Sequence, residues 1–144
     1  MPKSTATCNS ILALLLNATA FANVADNAAS SPFTNTYVSL HTASPGTGNN
    51  QTTNETAYTN YARQAVARTT SGWTAPSGGS SSNVASIDFP QCGVTGATIT
   101  HGAVGTAVSG SGTVWYQGAL SASIAVSNQI QPRFAIGAVT ITET

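Results

Sequence analysis

The side chains able to do chemistry are few and scattered. Two histidines, His41 and His101, and two cysteines, Cys8 and Cys92, are the only soft metal ligands or nucleophile partners. The cysteines lack CxxC spacing, and a zinc site needs three or four ligands at usable spacing. Both histidines fall in stretches that alternate with period two, where an isolated histidine is usually a satisfied structural residue. Glycoside hydrolysis needs two carboxylates flanking a sugar. The only mid-chain pair is Glu55, in a polar stretch, and Asp88, which alternates with Ile87 and Phe89 and is expected to face solvent or cap a turn. No serine sits in a G-x-S-x-G elbow. Gly46-Thr47-Gly48 lacks the third glycine and the strand-to-helix setting of a phosphate loop. The sequence therefore names no catalytic residue, no metal ligand and no cofactor-binding residue, and the expectation is a protein that is not an enzyme.

Composition points the same way. The chain has 144 residues, of which 6% are charged, against roughly 25% in an average soluble protein. Four cations (Lys3, Arg63, Arg68, Arg133) offset four anions (Asp26, Glu55, Asp88, Glu143). Nucleic-acid affinity comes mainly from Lys and Arg neutralising phosphates, so direct nucleic-acid binding is not expected. Hydrophobic residues make up 41%, which argues against disorder. A neutral surface rich in Ser, Thr, Asn and Gly is poorly protected against association, and this suits a subunit locked into an assembly.

The elements that would carry these residues fall into two parts, an arm and helix over residues 1–34 and a β domain over 35–144. Residues 1–9 look like an extended arm. Thr7 or Asn9 is placed to cap a helix over residues 10–24, whose stripe includes Ile11, Leu12, Leu15, Leu16 and Ala22. That helix either packs on its own domain or docks on a neighbouring subunit. The run from Lys3 through Leu16 to Ala20-Phe21-Ala22 imitates a secretory signal with an A-x-A site, but Asn9, Ser10 and Asn17 crowd a six-residue apolar core. An uncleaved helix is the preferred reading, and the run is too short to span a membrane. Ser30, Ser31 and Pro32 break the helix.

Beyond them the period is two. Strands are expected over residues 37–41, 61–68, 84–89, 97–104, 112–120, 123–126 and 133–142, separated by Gly, Pro and Ser-Asn turns. Residues 44–56 read as a polar surface loop without core residues, and 75–83 as a second loop. Short strands without intervening helices predict a mainly β, antiparallel sandwich or jelly roll. Trp115 and Tyr116, adjacent in a strand, should point to opposite faces with one of them buried. Asn-x-Ser/Thr triplets at Asn17, Asn50 and Asn54 carry little weight in so Thr-rich a chain. Contact candidates are Leu12, Leu15, Leu16 and Phe21 on the helical segment, with Tyr58, Tyr61, Arg63 and Trp73. For the aromatics, core packing is an equal alternative.

Val38-Ser39-Leu40-His41-Thr42-Ala43-Ser44-Pro45-Gly46, Asn54-Glu55-Thr56-Ala57-Tyr58, Tyr61-Ala62-Arg63, Ile87-Asp88-Phe89-Pro90 and Phe134-Ala135-Ile136-Gly137 resemble a family of small virion proteins of tailed phages. The likeness extends through Ser82-Asn83 and Val126-Ser127-Asn128, covers most of residues 37–144, and is weaker over the first thirty or so. Members are labelled tail fibre proteins or resemble head cement and decoration proteins. The resemblance implies a virion structural protein made in the bacterial host cytoplasm, where the two thiols stay free. It implies most of all a capsid cement protein on the particle surface, a homotrimer bridging major capsid protein subunits, with the N-terminal arm as a clamp. A tail or tail-fibre component is the alternative. A carbohydrate-binding module stacking sugars on Trp73 or Trp115 is a third reading. No membrane is implied.

Overall fold

The computed structural model describes residues 3–21, 25, 32–48 and 50–144. The helix end expected at Val24, the A-x-A residue Ala22 and the break at Ser30 and Ser31 lie outside them. The chain is mainly β, built of antiparallel sheets with one short N-terminal helix, the class the strand pattern predicts. It forms two compact units, each assembled from separated stretches of sequence.

The first unit takes the described residues up to Asn35, with Val66–Ile87 and Phe134–Thr144. Its helix α1 is Thr5–Asn17, beginning inside the stretch expected to be an extended arm. The cap is Ser4, not Thr7 or Asn9. Ser4 is extended (φ −69°, ψ 153°) and its hydroxyl accepts the Thr7 N–H at 3.2 Å, which satisfies one of the orphan donors of the first turn. The helix stops at Ala18, which turns left-handed (φ 53°) while its N–H returns to the Ala13 carbonyl. Cys8, Leu12 and Leu16 recur every four residues on the inner face and are buried. Burial of each leucine stabilises by about 1.5–3 kcal/mol.

That face lies over β3 (Ser80–Ser82), which pairs antiparallel with β8 (Thr140–Thr142). Strand β3 falls within residues expected to form a loop. Serine has little strand propensity of its own, and the pairing with β8, sixty residues away, imposes the conformation. The rest of this core is Val66, Trp73, Ile87 and Ile141. Asn83, 1% exposed, ties it together: its Nδ2 donates to the carbonyls of Ala85 (2.7 Å) and Ala135 (2.8 Å), and its Oδ1 accepts from Val139 N–H (2.8 Å).

The second unit comprises Thr36–Ala65 and Asp88–Arg133. It holds most of a four-stranded sheet, ordered β2 (Gln64–Ala67, of which Val66 and Ala67 count with the first unit), β1 (Asn35–His41, of which Asn35 does), β5 (Ala97–Gly105), β6 (Val114–Val126). Strand β1 is central and buried along most of its length, and it runs antiparallel to β5 from Tyr37↔Gly105 to His41↔His101. Two two-residue strands, β4 (Ile87–Asp88) and β7 (Arg133–Phe134), form a small separate sheet. The core of this unit is Val38, Leu40, Tyr58, Phe89, Cys92, Ile99, Ala103, Val104 and Val126. Residues 112–126, expected to give two strands, give the one long strand β6.

Candidate functional site

The polar residues that drew attention in the sequence converge in the second unit. Ser39 and His41 lie two apart on β1 and so share a face. Both are 0% exposed, and the Ser39 hydroxyl is 2.9 Å from His41 Nε2. His41 Nδ1 lies 2.9 Å from the Thr53 carbonyl. A carbonyl only accepts, so Nδ1 carries the proton and Nε2 accepts from Ser39. Burial pushes the imidazole below its usual pKa, against the opposing pulls of the Thr53 carbonyl and the Glu55 carboxylate. Strand pairing sets His41 directly opposite His101, whose Nδ1 meets the Thr100 hydroxyl at 2.9 Å. Among the described residues no group of three His, Cys, Asp or Glu side chains converges.

The stretch 44–56 is exposed at residues 44, 46–48 and 52–54, as expected of a surface loop, but Pro45, Gln51 and Thr56 are buried. It returns along the end of β1: Thr42 N–H donates to Asn54 O, and Thr56 N–H to Leu40 O, each at 2.9 Å. This carries Glu55 inward. Arg63 grips both of its carboxylate oxygens, and the Tyr61 hydroxyl donates to Oε1 at 2.9 Å while accepting the Leu40 N–H at 3.0 Å. The remaining Arg63 donors reach the carbonyls of Ala107 and Gly110, each at 2.8 Å. The Glu55 hydrogen bond holds the guanidinium pKa above its ordinary value, and burial pushes the Tyr61 phenol well up.

Gln51, from the same stretch, is 0% exposed. Its Oε1 accepts the Ala107 N–H at 2.9 Å. A Cβ at Gly105 would sit 2.3 Å from Gln51 Cδ, and one at Gly112 would sit 2.3 Å from Oε1. The two glycines therefore make room for the amide. A glycine inside a strand pattern marks such close approach, so Gly105 was the available signal for a partner that sequence reasoning missed.

Most of this cluster is buried: Ser39, His41 and Gln51 are 0% exposed, while Glu55 and Tyr61 are half-buried. Its donors and acceptors clamp the 44–56 stretch and the 106–113 turn to the sheet. Tyr58 is 2% exposed, donates to Pro90 O at 2.9 Å and stacks edge-on to Tyr61 at 5.3 Å, and burial pushes its phenol up to about 12. Tyr61 in turn stacks on Phe89 at 6.4 Å. In the first unit Leu12, Leu16 and Trp73 are 0% exposed, whereas Leu15 and Phe21 are half-buried. Most of the contact candidates are thus held in the interior of one copy, and Trp73 has no face to offer a sugar. Both cysteines are free and buried. Asp88 pairs with Arg133.

The longest exposed stretch of strand lies elsewhere in this unit. Strand β6 ends its sheet, and its residues 117–119, 121–123 and 125 are exposed on both faces. Two register shifts interrupt its pairing with β5. Across the first, residues 120–123 stand opposite Thr100 alone. Across the second, Trp115 is the extra residue between Val104↔Tyr116 and Gly105↔Val114. Strict alternation fails at such a bulge, which is why Trp115 and Tyr116 are both half-buried instead of one being buried.

Compared with known protein families, the chain matches the sequence model of Gp80, described as podophage GP4 fiber I protein gp80, over residues 2–142. No curated protein matches it.

Proposed function

This chain belongs to the podophage GP4 fiber I protein gp80 family, a family of tailed-phage virion structural proteins with fibre-type naming, and on that premise we propose that it is a fibre-associated subunit of the particle's tail region that works by binding neighbours and carries out no reaction. The observation that carries this reading is the extent of the family match, residues 2–142, which takes in both units. The Ser39–His41 and Glu55–Arg63 groups fit the same reading, since their hydrogen bonds hold loops to the sheet. A capsid cement role, with the major capsid protein as partner, is the competing position.

Copy number and location separate the two. Quantitative mass spectrometry of purified particles, with a reconstruction locating the chain, is expected to give at most a few dozen copies near the tail. Hundreds of copies spread over the head lattice would transfer the protein to the cement role. Absence from mature particles would end both.

A further inference from the structure

Residues 106–113 (TAVSGSGT) join β5 to β6. A connection rich in Gly and Ser has little conformational preference of its own, yet this one is fixed. Its base closes with Thr106 N–H donating to Thr113 O at 3.1 Å and Thr113 N–H donating to the Thr106 hydroxyl at 3.0 Å. Its interior is held by two buried side chains. Arg63 donates to Ala107 O and Gly110 O, each at 2.8 Å, and Gln51 Oε1 accepts the Ala107 N–H at 2.9 Å. The Gln51 N–H donates to Gly112 O, also at 2.9 Å. The arginine side chain is 2% exposed. Burying a cation with its carboxylate partner is costly, and packed apolar side chains of similar volume often stabilise as well or better. What the pair adds here is a fixed geometry, delivered to a turn whose residues 108–111 are all exposed. Val108 is 61% exposed and is followed by Ser109, Gly110 and Ser111.

We propose that the 106–113 turn is a preformed docking element that seats Val108 in an apolar recess of a different protein of the particle. The inference rests on reading the chain as a subunit that works by binding neighbours, and it says where one neighbour binds. A turn ordered before contact has no freedom left to lose on docking, so the clamp lowers the cost of association. The chemistry of the turn selects the partner. Residues 106–113 hold no Asp, Glu, Lys or Arg, and the Arg63 charge is neutralised by Glu55. Phosphates and anionic lipid headgroups therefore find nothing to pair with. The turn carries no aromatic ring to lie against a sugar. One aliphatic side chain is too little apolar surface for a membrane anchor. The complementary surface is that of a protein, with an uncharged recess for Val108 and peptide or hydroxyl groups around it to meet Ser109 and Ser111. Two copies of this chain meeting turn to turn about a two-fold axis would set one projecting side chain against its equivalent, with no recess for either.

The test uses a phage whose own copy of the gene is disabled, grown on a host that supplies the full chain. Copies per purified particle are counted by quantitative mass spectrometry. Val108→Lys would put a charge into the recess, and it is expected to cut the count by about tenfold or more. Val94→Lys, at a valine 88% exposed in another loop of the same unit, is expected to leave it unchanged. Thermal midpoints of both purified variants, and their association state by light scattering, should match the wild type. With Ser109→benzoylphenylalanine, illumination of intact particles is expected to join the chain to a different virion protein. Wild-type incorporation of Val108→Lys overturns the proposal, as does an equal loss with Val94→Lys. So does an altered association state in Val108→Lys, or a cross-link that is absent or joins only copies of this chain. Should Val108→Lys misfold, the cross-link decides alone. Wild-type chain missing from particles would end the proposed function and this docking site together. Wild-type chain present, with Val108→Lys at the same count, would sink the turn alone. Loss of Val108→Lys from a position on the head would keep the turn and overturn the tail placement.

Discussion

Arg63 holds Glu55 by both carboxylate oxygens, Nε to Oε1 at 2.6 Å and Nη2 to Oε2 at 2.7 Å, with the arginine side chain 2% exposed and the glutamate 15%. Removing the cation leaves a largely buried carboxylate without its partner, together with the carbonyls of Ala107 and Gly110. Arg63→Ala is therefore expected to cost about 3 kcal/mol or more, in the range for breaking buried pairs. Arg63→Lys cannot reproduce the fork and should lose an intermediate amount. Urea denaturation of the three proteins measures both, and wild-type midpoints would contradict the structural role given to the pair.

His41 makes stability depend on pH. Its folded-state pKa lies below the ordinary 6.5 because burial disfavours the imidazolium. The unfolded chain then binds the proton more readily than the folded one. Stability from this group is complete above about pH 6.5 and declines as the pH falls from there toward the folded-state pKa. Urea midpoints at pH 7.5 and 5.5 should differ in the wild type, with the lower value at pH 5.5. The difference should shrink in His41→Gln. Equal pH slopes in the two proteins would remove His41 as the cause.

Arg68 does for α1 what an ordinary C-terminal cap cannot. Its Nε donates to Leu15 O at 2.7 Å, Nη2 to Leu14 O at 2.5 Å and Nη1 to Phe33 O at 2.9 Å. A cation at a helix C-terminus also meets the negative end of the helix dipole, which offsets the burial that lowers this guanidinium's pKa. Arg68→Met should destabilise the first unit by about 2–3 kcal/mol, given the worth of hydrogen bonds to charged groups. Amide exchange across α1 should accelerate accordingly. Unchanged protection there would show that the helix does not depend on this anchor.

Trp73 is 0% exposed, and its carbonyl accepts from Asn17 Nδ2 at 3.2 Å. Trp73→Ala is expected to cost about 3–5 kcal/mol, the usual penalty for emptying an aromatic site in a core. A thermal midpoint close to wild type would indicate that the site collapses or refills.

The sequence carried the parts of this fold that depend on local period. Tyr37, Val38, Leu40 and Ile99 announced β1 and β5 because alternation survives wherever a strand has neighbours on both sides. The Leu12 and Leu16 spacing announced a helix, although its start was misplaced because several hydroxyl and amide residues near position 4 can each cap. What could not be read depends on partners far along the chain. Strand β3 is a run of serines that becomes a strand only against β8. Glu55 and Arg63 stand eight residues apart with nothing in their spacing to pair them, and only the return of residues 44–56 along β1 does so. Gln51 looked like loop polarity because its receptor, two glycines on β5 and before β6, is more than fifty residues away.

The chain passes between its two units at Asn35/Thr36, Ala65/Val66, Ile87/Asp88 and Arg133/Phe134. The ribosome makes α1 before any of the strands, yet the strand that pairs with β3 beneath that helix comes from residues 140–142. The second unit has all its segments once Arg133 has been made. The first unit is thus begun earliest and closed last, and a ribosome stalled before β8 would hold a nascent chain whose opening helix has only part of its packing surface.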